Sequence, residues 1–477
     1  MTATAPAEPP TTGAAPGHPC IGTGRRANLP AGPLADTRRV PYYVYVLSAG
    51  LALQFMSGEA GNFGFPIAPD RLLIPLGLVL FLMHPDRYRR SWRVQPVHLL
   101  LLVATLWCLA SMIWFGTIQS QDARFGFWDS FGVMPFLLFA TVPVIYETAA
   151  RRKVLLVAMT LLGAYLGLIS AFQGLQLESL IYPKYIIDPT FVHYGRAFGP
   201  SLQVGSNGLQ LFACMVCAAI LSTQVAGGLA RWASRGVAIL CAAGLLFTMT
   251  RSVWIGGVAG ILAALWLNRR SRKLVVALVI LVPIAVGGAL IFDQALQEMV
   301  TTRLNDAQSE YDRLNLAQTA LNIMQYRPFF GIGYYNFLNV EPDWFWQLDQ
   351  TPVGFTGIEV HNVFLGHAAE LGLPGLTVWL LGLITAAKGL LRRLPTGREQ
   401  LMWRQAALGY VVCWFVMANL MPMTYALPAS MLWVFLGIVQ TPFDVGFSQP
   451  VAEPEATAEE QAALPSPRPQ AGLVKVS

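Results

Sequence analysis

The chain has 477 residues, 55% of them hydrophobic and only 12% charged, with a formal net charge of +6. Soluble domains carry roughly 25% charged residues, so this chain cannot clothe a globular surface, and the bilayer must be its solvent. Its basic residues fall in short clusters between apolar runs, which excludes a nucleic-acid-binding reading and instead marks the cytoplasmic side of a membrane protein.

Residues 1–40 are rich in Pro, Ala, Gly and Thr and hold no apolar core segment, so they read as a disordered cytoplasmic tail rather than a signal peptide. Residues 442–477 have the same character. Between them lie twelve apolar segments, near 41–58, 72–84, 96–115, 129–146, 154–174, 206–226, 236–250, 252–267, 274–292, 363–387, 405–421 and 425–441. The expected architecture is an all-α polytopic membrane protein with about 12 transmembrane helices. Spans one to nine occupy 41–292, one large extracytoplasmic loop occupies 293–361, and spans ten to twelve occupy 362–441.

Placing the N-terminus inside and alternating puts 24 of the 32 basic residues on the cytoplasmic side. The eight left outside are Arg71, Arg124, Lys184, Arg196, Arg251, Arg303, Arg313 and Arg327. The run 236–267 tests the count, because as one helix it would be about 48 Å long, too much for a hydrocarbon core of roughly 30 Å. It reads as a hairpin of two short helices with Arg251 at the outer tip, where a recessed arginine is costly and so purposeful. Five of the six cysteines lie inside apolar runs, which argues against a disulfide framework. Cys214-Met-Val-Cys217 sits in mid-span and reads as helix packing.

Within the large loop, Leu314, Ala317, Leu321 and Met324 recur at helical spacing and predict a helix over Ser309–Arg327, stopped by Pro328. Gly331-Ile-Gly333 is no nucleotide loop, since no Gly-Lys-Ser/Thr follows it. Trp344-Phe345-Trp346 reads as an interfacial anchor, with sugar stacking as the alternative. Asn362 suits a helix N-cap at the start of span ten, which leaves His361 at the outer membrane surface.

Arg196, Arg251, Arg313 and His361 thus fall on one side. Guanidinium groups beside an apolar wall suit a diphosphate whose lipid tail lies in the bilayer, because the planar fork binds phosphate oxygens in pairs. Fixed arginines would stabilise the charge that grows on a departing diphosphate, and a histidine would take the proton from an acceptor hydroxyl. The plainer readings are arginines snorkelling to lipid phosphate, which fits Arg303 and Arg327 best, and a surface or capping histidine. His367 and Glu370, one turn apart, predict a structural hydrogen bond. No spacing supports a metal site from His193, His361 and His367.

Four motifs carry a family resemblance. Arg196-Ala-Phe-Gly-Pro-Ser-Leu-Gln-Val-Gly-Ser-Asn207 resembles the segment before a central span in the O-antigen ligase and Wzy-type polymerase superfamily. Thr250-Arg251-Ser252-Val-Trp254 resembles its Ser/Thr-Arg turn. Arg313, with Ala320-Leu321 and then Pro328-Phe-Phe-Gly331-Ile-Gly333, is similar to its long-loop signature, and His361-Asn362 with Glu370-Leu-Gly372 to the signature that closes the loop. One departure stands out: the family's Pro and Asn usually lie close together, whereas Pro200 and Asn207 are separated by six residues.

The resemblance implies a GT-C-like, inverting, metal-independent transferase of the inner (plasma) membrane, with no cofactor and its active site on the extracytoplasmic face. The implied donor is an undecaprenyl-diphosphate-linked glycan, and the acceptor a glycan or lipid. Arg196, Arg251 and Arg313 would hold the donor diphosphate, His361 would be the catalytic base, and Asn362 and Glu370 would support it. The competing readings are a transporter or flippase of a lipid-linked glycan, against which no internal repeat is seen, and a scaffold for envelope assembly.

Overall fold

The computed structural model describes residues 40–85, 94–190, 195–268, 271–273, 275–277, 308–349, 351–354, 357–391 and 397–440. Both expected tails, most of the ninth expected span, His193 and Arg303 lie outside the described residues.

All regular structure in the described residues is helical. The helices are α1 Tyr42–Leu53, α2 Pro69–Met83, α3 Pro96–Trp114, α4 Gln121–Gly126, α5 Val133–Ile145, α6 Ala149–Gly174 and α7 Val204–Gln224. They continue with α8 Gly228–Phe247, α9 Arg251–Trp266, α10 Gln308–Tyr326, α11 Phe337–Trp344, α12 Val363–Leu391, α13 Arg398–Ala418 and α14 Ala426–Gln440. A π-helical turn, Phe127–Phe131, joins α4 to α5, so these pieces form one apolar rod over Gln121–Ile145.

Eleven of the twelve expected apolar segments are helical. Seven helices among the described residues are long and apolar enough to cross a membrane, and Tyr42–Met56, Arg251–Trp266 and Ala426–Gln440 are shorter apolar helices. The chain is therefore a multi-pass helical membrane protein. α7 and α14 are buried on nearly every side and form the centre of the bundle. α3 and α8 instead present Leu99, Leu102, Leu106, Ile239 and Leu246 outward, as lipid-facing helices do.

Two ion pairs fix helix ends. Arg152, read from the sequence as a cytoplasmic marker, is buried at the start of α6, where its guanidinium meets Glu399 of α13 at 2.8 Å and the carbonyls of Tyr146 and Glu147. Arg71 donates a bidentate pair of hydrogen bonds, 2.6 and 2.5 Å long, to Asp129 in the π-turn. It is thus a partnered structural residue rather than a free outer cation.

The Arg152–Glu399 pair joins the starts of α6 and α13. At another place the finish of α8 adjoins the turn before α7, and the turn after α13 adjoins the starts of α9 and α12.

The segment 308–361 builds a small core of its own from Leu316, Ala320, Ile323, Ile332, Phe337 and Val360, closed by Ala369 of α12. The helix expected at Ser309–Arg327 is present as α10, but its inward face is not the expected one. Leu314 and Leu321 are exposed, while Asp312, Asn315, Leu316, Thr319, Ala320 and Ile323 are buried. The inner face is half polar because it clamps the backbone of the following loop. Asn315 Oδ1 accepts the Leu348 N–H at 2.9 Å, Thr319 Oγ1 that of Trp346 at 2.9 Å, and Asp312 Oδ1 that of Gly354 at 2.8 Å. The aromatic triplet is divided accordingly: Trp344 packs on the loop core against Tyr326, and Trp346 is exposed.

Candidate functional site

Each expected site residue owes its position to a local device. Arg196 begins a turn tied down on three sides. The Gly199 N–H donates to Gln173 Oε1 at 3.0 Å, Asn207 Nδ2 donates to the Ala197 carbonyl at 3.0 Å, and the Ala197 N–H donates to the Phe247 carbonyl at 2.9 Å. The wide spacing of Pro200 and Asn207 is therefore bridged: the residues between form a turn, and Asn207, in the first turn of α7, still reaches back to the arginine loop. A cavity of about 510 Å³ lies beside Arg196, lined also by Gln173, Glu178 and Phe198.

The expected hairpin is present. α8 ends at Phe247, the chain turns through Thr248-Met249-Thr250, and Arg251 is the first residue of α9. Met249 has φ +48°, a conformation that few side chains adopt. The indole N–H of Trp254 reaches back to the Leu245 and Leu246 carbonyls, each at 3.1 Å, and locks the turn. α8 is longer than the sequence reading expects, and only α9 is a short arm.

Asn362 caps α12. Its Oδ1 accepts the Phe364 and Leu365 N–H groups, each at 3.0 Å. His361 stands just outside the helix, half-buried, its Nδ1 2.9 Å from the Glu359 carbonyl. Only a protonated nitrogen suits that contact, so the tautomer it favours carries its hydrogen on Nδ1 and leaves the Nε2 lone pair free. Burial and the nearby Arg313 charge hold the imidazole below its ordinary pKa, with the Glu359 carbonyl and Asp312 pulling the other way. The charge of Arg313, on α10, thus reaches His361.

The turn after α13 connects the two halves. Asn362 Nδ2 donates to Asn419 Oδ1 at 3.4 Å, and Ser252, beside Arg251, meets Met421 Sδ at 3.8 Å. Gly205 of α7 also packs against Met421, whose thioether end would have to shift to admit a Cβ there. Arg196 and Arg251 thus sit on adjoining backbone segments, the Arg313 charge acts on His361, and the turn at 419–421 touches both Ser252 and Asn362.

Glu370 corrects one expectation. No hydrogen bond joins it to His367 among the described residues. Its carboxylate accepts the Phe337 N–H at 3.4 Å and bonds the Tyr335 and Asn336 backbone as well, capping α11. The Ile332 and Gly333 N–H groups donate to the Ala369 and Glu370 carbonyls, at 3.0 and 2.9 Å. This docking uses a break in α12 at Gly372, where φ is +71° and any side chain would collide with the Phe329 carbonyl. Glu370 therefore supports the site by holding the loop on α12. His367 instead packs among Phe131, Trp379 and Tyr334.

Glu359 and Asn419 were not singled out in the sequence, although both touch the site directly. The only signal for Glu359 was its place two residues before His361. Among the described residues, no group of three or more His, Cys, Asp or Glu side chains could hold a metal ion.

The described residues thus form a multi-pass helical bundle with basic and imidazole side chains near one end. Residues 236–380 match the family model described as O-antigen ligase, and that segment contains Arg251, Arg313, His361, Asn362 and Glu370. Over that segment the chain is similar to the O-antigen ligase and Wzy-type superfamily, which supports a broad role in glycan transfer. Arg196 lies N-terminal to the matched segment. No curated protein matches the chain.

Proposed function

We propose that the chain transfers a glycan from a polyprenyl-diphosphate carrier to an acceptor hydroxyl at the extracytoplasmic face of the inner membrane, as a ligase or polymerase. The observation that carries this reading is the placement of His361, within reach of the Arg313 charge, at the capped start of α12 inside the family-matched segment. The excess of basic residues on the opposite side supports the outward placement.

In this reading, Arg196, Arg251 and Arg313 hold the diphosphate. Nε2 of His361 takes the acceptor hydroxyl proton as the acceptor oxygen bonds to the anomeric carbon. The bond from that carbon to the phosphate oxygen breaks, and its electron pair leaves with the lipid diphosphate. Guanidinium groups fixed before the reaction stabilise the growing charge without reorganising. A single displacement of this kind inverts the anomeric centre, and the arginines supply the charge that a divalent cation supplies elsewhere. The lowered His361 pKa keeps the imidazole unprotonated, and so able to act as a base, near neutral pH.

The test is to incubate the purified protein with a lipid-diphosphate glycan, with and without a candidate acceptor. A ladder of products identifies a polymerase and one shifted band a ligase. An unchanged donor under both conditions, with every candidate acceptor, would overturn the proposal.

A further inference from the structure

A cavity of about 730 Å³ opens among the first half of α12, the finish of α13 and the start of α14, and the π-turn forms part of its wall. Arg196, Arg251, Arg313 and His361 do not line it, although Glu359 and Asn362, on either side of His361, do. The cavity is therefore next to the proposed diphosphate and base site without being part of it.

Its walls combine two kinds of group. Trp379, Trp414 and Trp433, one from each of α12, α13 and α14, give flat apolar faces. Set among them are polar groups that the protein does not satisfy. The Trp379 side chain is 3% exposed and its Nε1–H has no partner. Ser130 Oγ is buried with no partner. The His367 ring is held between aromatic rings, 4.9 Å from Phe131 and 5.1 Å from Trp379.

Buried donors left this way are costly unless something else meets them. The π-turn presents Ser130 at the wall, and the bidentate Arg71–Asp129 pair holds that turn in place. Such turns recur at functional sites.

The chemistry of the lining selects the occupant. Glu359 bonds the Tyr335 hydroxyl and faces the Asp122 charge, and Glu370 adds a second carboxylate to the wall. Among the described residues, no arginine or lysine lines the cavity, so a second diphosphate would meet no counter-charge there. A prenyl chain would leave the Trp379 indole N–H and the Ser130 hydroxyl unmet. A sugar ring meets both kinds of wall, with its C–H face on indole and its hydroxyls on the polar groups.

We propose that this cavity is a saccharide subsite that seats one sugar ring of a substrate on the tryptophan wall, with hydroxyls bonded to Glu359, Ser130 and Trp379 Nε1. It deepens the glycan-transfer reading and rests on it.

Saturation-transfer NMR on the purified full chain in detergent tests the subsite directly, with glucose, galactose, N-acetylglucosamine and rhamnose as free probes. At least one probe should receive saturation from the wild type. Trp379→Leu and Glu359→Gln should each weaken its binding by about tenfold, the size of one lost bond to a buried polar partner. Arg251→Ala should leave it unchanged. Ser130→Ala and Trp379→Phe serve if the harsher variants fail to fold, as judged by thermal unfolding.

Binding of none of the probes, or equal binding in all the folded variants, would overturn the subsite, as would displacement of the sugar by farnesol. Its failure is distinguishable from that of the function. A wild type that binds sugar but transfers nothing keeps the subsite and removes glycan transfer. Transfer with unchanged KM for donor and acceptor in Glu359→Gln and Trp379→Phe keeps the function and removes the subsite.

Discussion

The backbone N–H of Ala197 donates to the carbonyl of Phe247 at 2.9 Å, joining the turn that carries Arg196 to the last residue of α8. Arg251 follows four residues after Phe247, just past the chain reversal. Two arginines 55 positions apart in sequence are thus set on adjoining segments by one main-chain bond, and neither position depends on the other's side chain.

Asn207 holds that arrangement in place. Its Nδ2 donates to both the Ala197 carbonyl and Ser170 Oγ at 3.0 Å, and the residue is fully buried. Asn207→Ala should lower stability by about 1–3 kcal/mol, because it strands buried partners. Thermal unfolding in detergent checks the first effect. The donor KM should rise more than kcat falls, since the loosened turn carries Arg196.

Arg251 should not tolerate lysine. A point charge replaces the net charge but not the planar fork that meets two phosphate oxygens. Arg251→Lys should lose at least about tenfold in kcat/KM, and Arg251→Ala about a hundredfold or more. Full activity of the lysine variant would reduce the residue to a simple cation.

The pH profile of transfer should report His361. A base works when unprotonated, so activity falls as pH drops through the imidazole pKa, which burial and Arg313 place below the ordinary value of about 6.5. Arg313→Gln removes one of those two causes, so the acid limb should move to higher pH whatever happens to the overall rate. The position of the limb, measured from kcat/KM between about pH 5 and 8, checks this. A limb that stays in place would separate Arg313 from the imidazole.

Gly372→Ala should loosen the loop from α12. The position has φ +71° and faces the Phe329 carbonyl, so a methyl group both strains the backbone and pushes out the segment 328–333. A cost of about 1–3 kcal/mol is expected, with faster proteolysis within 308–361 than in the wild type.

Much of this was legible in the sequence because its cause was local. Apolar length located the helices, Asn362 marked its own cap, and the length of the run 236–267 required the turn before Arg251. What was missed depends on partners far away in the chain. The α10 stripe was read from Leu314 and Leu321, but loop backbone around Trp346, Leu348 and Gly354 draws Asp312, Asn315 and Thr319 inward. Glu370 bonds amides 33 residues earlier rather than the histidine on its own helix. The cavity draws its three tryptophans from three helices, and no spacing along the chain announces that.

The most direct test of the account is transfer by His361→Ala in proteoliposomes loaded with a lipid-diphosphate glycan and acceptor, alongside thermal unfolding and donor binding of the same preparation. The account predicts loss of turnover, with folding and donor affinity close to wild type. Wild-type turnover from that variant would contradict it, because no imidazole would then be needed to take the acceptor's proton.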